Sequence, residues 1–90
     1  MLEIVPSSRF RKDVKAAIRR GYDMQLLKDV VDLLAAETTL PEKYRDHALT
    51  GDYAGYRECH VKPDWLLVYQ TDRETLTLLL FRTGTHADLF

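Results

Sequence analysis

The sequence predicts an α+β domain in which two N-terminal helices pack on a small, mainly antiparallel sheet, in the order β-α-α-β-β-β. Three observations predict it. Apolar residues recur at helical spacing in two consecutive segments before residue 35, strand-like apolar runs follow residue 55, and the links between those runs are short enough to favour antiparallel neighbours. At 90 residues, 46% hydrophobic and 30% charged, the chain reads as a single domain over residues 1–90 with a modest core.

Residues 2–5 read as a short strand stopped by Pro6, after which Ser7 or Ser8 can cap a helix by accepting one of its free N–H groups. Phe10, Val14, Ala17 and Ile18 make one apolar stripe on that helix. Gly21 is placed to end it and Asp23 to cap the next, on which Met24, Leu27, Val30, Val31 and Leu34 form a second stripe. Thr38-Thr39-Leu40-Pro41 breaks the second helix, and residues 42–52 read as polar, irregular chain carrying His47.

Strands are expected over residues 56–60, 65–70 and 75–82, separated by 61–63 and 71–74. Regular hairpins would set Gln70 against Thr75, Trp65 against Leu80, Asp64 against Phe81 and His60 against Asp64. Leu67, Tyr69, Leu76, Leu78 and Leu80 would then share the face beneath the helices, with His60, Asp64 and Phe81 on the other. The same geometry delivers His60, Asp64, Arg82 and the following Thr83-Gly84-Thr85-His86 to one end of the sheet.

Composition removes several function classes. Cys59 is the only cysteine, so an intramolecular disulfide and a multi-cysteine zinc site are both excluded, and a reducing cytoplasm is the expected location. No apolar run approaches the ~20 residues that span a bilayer, and the N-terminus lacks the layout of a signal peptide, so no membrane partner is expected. A net charge of −1 gives no global argument for nucleic acid, but Arg9, Arg11, Lys12, Lys15, Arg19 and Arg20 crowd the first helix. That stripe is either a solvated face or a partner-binding surface.

All three histidines fall in the second half of the chain, outside any apolar helical stripe. Histidine, with an unperturbed pKa near ~6.5, gives or takes a proton near neutrality, so a group converging on a carboxylate suits acid–base catalysis. Cutting RNA without a metal needs a base for the 2′-hydroxyl, an acid for the leaving 5′-oxygen and a cation for the phosphate. His47, His60 and Asp64 are the candidates for base or orienting group, His86 for acid, and Arg82 for the phosphate-binding cation. Arg57 points to the other face, where a salt bridge at the core edge is expected.

Trp65, Tyr53, Tyr56 and Phe90 are flat surfaces of the kind that hold unstacked bases. Phe90 is the preferred one, whereas Trp65 is expected to pack beneath Asp64 and His60. Three histidines and an aspartate satisfy a divalent metal in number, yet no His-x-His or His-x₃-His pair exists, so no metal or cofactor is expected. Cys59 alternates away from His60 and is not expected to act as nucleophile.

Four strings carry a family resemblance over residues 43–90: Asp46-His47-Ala48-Leu49-x-Gly51, Gly55-Tyr56-Arg57-Glu58-x-His60, Pro63-Asp64-Trp65-Leu66-Leu67-x-Tyr69, and Arg82-Thr83-Gly84-Thr85-His86-Ala87-Asp88-Leu89-Phe90. Together they resemble the YafQ branch of the RelE superfamily, bacterial toxins of type II toxin–antitoxin systems. Phe10 to Lys15 and Arg20-Gly21-Tyr22-Asp23 look like that family's first helix and turn. The resemblance implies a RelE-like fold and a ribosome-dependent mRNA interferase that cuts the message in the A site without a metal. It implies catalytic roles for His47, His60, Asp64 and His86, and contributions from Trp65, Arg82 and Phe90. It also implies a cognate antitoxin, through which operator DNA is reached only indirectly.

The chain departs from many related toxins in being near neutral rather than basic. Lys12, Lys15 and Arg19 are therefore expected to supply a docking stripe for ribosomal RNA. Two alternatives share the fold: a ParE-like toxin that binds DNA gyrase without nuclease chemistry, and an inactive corepressor of the antitoxin. The clustered histidines argue against the first.

Overall fold

The computed structural model describes residues 1–90. The elements run β1 (Glu3–Pro6), α1 (Ser8–Arg19), α2 (Met24–Ala35), β2 (His47–Ala48), β3 (Arg57–Lys62), β4 (Trp65–Asp72), β5 (Thr77–Gly84) and α3 (His86–Leu89), with 3₁₀ turns at Glu42–Tyr44 and Gly51–Tyr53. The predicted order is present, with two additions, β2 and α3. Both are too short to give a periodic signal in the sequence.

Local chemistry explains the helical hairpin. Ser7 Oγ accepts the Phe10 N–H at 3.0 Å, capping α1, and donates to the Phe81 carbonyl at 2.7 Å, which ties that cap to β5. Gly21 adopts φ +80° in the turn after α1, a conformation that side chains disfavour, and Asp23 then caps α2 by accepting the Gln25 N–H at 3.0 Å.

The sheet order is β1-β5-β4-β3-β2, with β1 parallel to β5 and every other pair antiparallel. One face packs on the helices: Phe10, Leu27, Val30, Val31 and Leu34 meet Cys59, Val61, Leu67, Tyr69, Leu78 and Leu80. A fully buried leucine such as Leu67 contributes roughly 1.5–3 kcal/mol, so this layer supplies most of the stability. The other face has a smaller cluster, Leu66, Val68 and Leu89, bordered by Leu49, Tyr56 and Phe81. The central strand is thus apolar on both faces because both are covered.

The observed register differs from regular hairpins at three places. Asp72 accepts the N–H groups of Glu74 and Thr75, building a longer turn that pairs Asp72 with Thr77, so Gln70 faces Leu79 rather than Thr75. That turn holds Leu76 at φ +54° and exposes it, removing it from the expected floor. A bulge then pairs Tyr69 with Leu80 and Val68 with Arg82, so neither the Trp65–Leu80 nor the Asp64–Phe81 pair forms. Strand β3 runs on to Lys62, the turn is Pro63-Asp64, and His60 lies opposite Leu66, not Asp64. On α1, Ile18 is exposed because Phe10 and Ala17 define the buried line.

Candidate active site

The register changes still bring the predicted residues to one end of the sheet. Asp64 occupies the β3–β4 turn, and Leu66 pairs with Gly84, so β5 exits beside that turn. Thr85 then starts α3 with a reciprocal cap: its hydroxyl accepts the Asp88 N–H at 3.1 Å while Asp88 accepts the Thr85 N–H at 2.9 Å. Arg20 donates twice to Asp88, at 2.7 and 3.1 Å, fastening α3 to the end of α1. A Cβ on Gly84 would lie 2.9 Å from the Asp88 carboxylate, so only glycine leaves room for this cap. His86 is the first residue of α3, and its position follows from that cap.

Each imidazole uses Nδ1 in the same way. His47 Nδ1 lies 2.7 Å from the Arg45 carbonyl, His60 Nδ1 lies 3.2 Å from the Pro63 carbonyl, and His86 Nδ1 lies 2.6 Å from Asp64 Oδ1. A carbonyl oxygen only accepts, so Nδ1 of His47 and His60 must carry the hydrogen, and a carboxylate imposes the same choice on His86. Nε2 is therefore the proton-exchanging atom of all three. The His60 ring stands 6.3 Å from that of His47 and 5.8 Å from that of His86, centroid to centroid.

Glu58 is the functional candidate that sequence reasoning missed. It is 5% exposed, and its Oε1 lies 3.7 Å from His47 Nε2 and 3.6 Å from His60 Nε2, within ion-pair range but longer than a hydrogen bond. Strand alternation contained the signal, since positions 58 and 60 share a face and β2 sets His47 against Glu58. A buried carboxylate is retained only where partners compensate its lost hydration, and here the partners are imidazoles.

Behind this face, Asp46 accepts two bonds from Arg57, at 3.2 and 3.3 Å, and a short one from the Tyr69 hydroxyl. The Arg57 salt bridge at the core edge is the one expected from the sequence. Because Asp46 precedes His47 and Arg57 precedes Glu58, the network fixes β2 against β3 where the site needs them aligned. Burial and then the hydrogen bond to Asp46 push the Tyr69 hydroxyl upward, keeping it a donor. Burial likewise pushes the Cys59 thiol up to about 12, and the thiol faces the helix-side core, so it is not a nucleophile.

Other expected site residues are placed differently. Trp65 is 3% exposed on the helix side, 4.9 Å from the Tyr22 ring, and donates from Nε1 to Thr83 Oγ1 at 2.9 Å. It neither lies beneath His60 nor offers a face to a base. Arg82 is not a free cation: Nε and Nη2 bond Asp13 at 2.7 and 3.2 Å, and Asp13 also accepts the Thr83 N–H at 3.1 Å. Only Nη1 stays outside that pair. Phe90 is 58% exposed and rests edge-on against Tyr53 at 5.2 Å. Lys12, Lys15 and Arg19 are exposed on α1.

The result is a cluster of three Nε2 atoms and two carboxylates, one buried and one exposed. The His86 N–H donating to Asp64 Oδ1 at 3.0 Å, followed by the bond from the ring, holds the Asp64 carboxyl below its ordinary value, so it stays an acceptor through neutral pH. Proton transfer at two separate imidazoles is what this arrangement can do. Ligand atoms of Glu58, His60 and His86 also lie within 4.8 Å of one another, a spacing that can hold a metal ion.

Comparison with known proteins gives a consistent picture. Residues 2–90 match the family model of the bacterial toxin of type II toxin–antitoxin systems, YafQ. The mRNA interferase toxin YafQ of Escherichia coli strain K12 is 50% identical over 91 residues, covering 98% of this chain and 95% of that protein. A metal-bound toxin from Helicobacter pylori superposes with a TM-score of 0.95 at 49% identity, covering both chains fully. The E. coli DinJ–YafQ complex gives a TM-score of 0.91 at 44% identity, covering 100% of this chain and 99% of that one.

Proposed function

The chain belongs to the YafQ family of toxins from bacterial type II toxin–antitoxin systems, and from that premise we propose that it is an endoribonuclease that cuts mRNA in the ribosomal A site by metal-independent acid–base catalysis. Relatives at 50% identity are named mRNA interferases, which supports the reaction class. The observation that carries the mechanism is the convergence of His47, His60 and His86 with every Nδ1 committed to an oxygen.

In the proposed reaction the 2′-oxygen attacks the adjacent phosphorus, forming O2′–P and breaking P–O5′. His60 Nε2, beside buried Glu58, accepts the 2′-hydroxyl proton. His86 Nε2 donates a proton to the departing 5′-oxygen, with Asp64 holding the ring and balancing its charge. Asp64 is thus an orienting group, because its oxygen is already used by His86. His47 stabilises the Glu58–His60 pair, and Arg82 offers Nη1 to a phosphate oxygen. The products are a 2′,3′-cyclic phosphate and a 5′-hydroxyl.

Phe90 provides a face on which a base can stack, and Trp65 supports the β4–β5 end from within the core. Lys12, Lys15 and Arg19 dock on ribosomal RNA phosphates. A cognate antitoxin in the cytoplasm neutralises the toxin, a reading supported by the E. coli DinJ–YafQ complex, and operator DNA is met only through that antitoxin. Mapping RNA ends on programmed ribosomes with purified protein tests the proposal. Cleavage within the A-site codon, leaving those two termini and requiring the ribosome, is the expected result, and intact message would refute it.

A further inference from the structure

A cleft of about 430 Å³ opens beside the histidine cluster, walled by Lys43, Tyr44, Arg45, His60, Lys62 and Pro63. Its volume falls in the ~300–1,000 Å³ range of small-ligand sites. Three cations line it and no carboxylate does, although the whole chain carries a net charge of −1. None of the three is ion-paired, whereas Arg20, Arg57 and Arg82 elsewhere each hold an aspartate. The Lys43 ammonium lies 5.0 Å from the Tyr44 ring centroid, a cation–π contact that draws it toward the cleft wall.

The cleft is joined to the site through two residues. His60 belongs to both, and Arg45, held at φ +49°, turns its carbonyl to His47 Nδ1 and is itself one of the residues lining the cleft. A side chain disfavours this left-handed conformation, so the 3₁₀ turn before it and the His47 bond must maintain it. Anything bound in the cleft therefore touches the residue that sets the His47 tautomer.

We propose that this cleft is a phosphate subsite for the message, holding the one or two backbone phosphates next to the bond being cut, with Lys43, Arg45 and Lys62 as the recognising groups. The inference rests on the nuclease reading above and names where its substrate strand runs. The ligand class follows from the chemistry: unpaired cations around a nucleotide-sized space beside an acid–base centre suit a polyanionic chain, and an aromatic ring in the wall suits one bearing bases. It also accounts for substrate binding by a near-neutral protein, because the three cations at the cleft are not neutralised by carboxylates beside them.

The test compares binding to programmed ribosomes whose A-site codon carries 2′-O-methyl groups and is not cut. Messages would have either normal phosphates or neutral methylphosphonates at the linkages flanking the scissile one. Wild-type protein should lose about tenfold in affinity on the neutral message, and Lys43→Ala/Lys62→Ala should lose about as much on the normal message and little more on the neutral one. The salt slope should fall by about 1.4 in the variant, since each single-strand phosphate contact contributes ~0.7. A variant that binds as wild type overturns the subsite. So does a variant loss that persists undiminished on the neutral message, which would place the cations on ribosomal RNA, and so does a loss confined to antitoxin affinity. Wild-type protein that leaves an unblocked message uncut removes the nuclease premise itself, an outcome distinct from these.

Discussion

His86 Nδ1 stands 2.6 Å from Asp64 Oδ1, and the same oxygen accepts the His86 backbone N–H at 3.0 Å. One carboxylate atom thus fixes both the ring and the helix start that carries it. Asp64→Asn preserves the shape and an acceptor but removes the charge that balances a protonated ring. Cleavage should fall about 100-fold, near the lower end of what acid–base catalysis contributes, with the melting temperature almost unchanged because the group is exposed. Single-turnover cleavage and a thermal melt check both halves.

Glu58 makes a sharper case, because it is buried between His47 and His60. Glu58→Gln keeps the volume and removes the charge. A fall of about 10²-fold or more in cleavage is expected, with far-UV circular dichroism unchanged, and wild-type cleavage by a folded Glu58→Gln protein would remove Glu58 from the mechanism.

Trp65 and Phe90 should separate cleanly. Trp65→Phe loses the bond to Thr83 Oγ1, a hydroxyl that still donates to the Leu66 carbonyl at 2.6 Å, so about 1 kcal/mol of stability should go while KM holds. Phe90→Ala, at an exposed ring, should raise KM and leave stability within about 0.5 kcal/mol. Urea denaturation alongside steady-state cleavage distinguishes them.

Acid should release α3 only at low pH. Arg20 is the main cause holding the Asp88 carboxyl far below its ordinary value, followed by the Thr85 N–H, and the His86 N–H holds Asp64 down as well. Carboxylates depressed in the folded state stabilise it above their unfolded value, ~3.9, and lose that contribution as pH falls through the folded one. The α3 contacts should therefore persist down to about pH 4 and weaken below it, as followed by the NMR shifts of Leu89 and Phe90.

Much of this was legible in the sequence. The two helices followed from the Phe10–Ala17 and Met24–Leu34 stripes and from the Ser7 and Asp23 caps, because helical periodicity and capping are local. The meeting of His60, Asp64 and His86 at one sheet end also survived, since it depends on chain connectivity rather than on register. Register itself was not legible. An Asp72 side-chain turn and a bulge at Phe81 each shift the pairing through contacts that periodicity does not encode. The Arg82–Asp13 pair was not legible for a similar reason, because the two residues lie 69 positions apart. Glu58 was legible by strand alternation with His60, which puts both side chains on one face of β3.

The most direct test of the account is the identity of the acid. His86→Ala should cut a normal message at least about 100-fold more slowly than wild type. On a message whose scissile 5′-oxygen is replaced by sulfur, a leaving group that needs no proton, the two proteins should cut at nearly equal rates. If the gap persists undiminished on the sulfur-substituted message, His86 does not protonate the leaving group and the proposed mechanism is wrong.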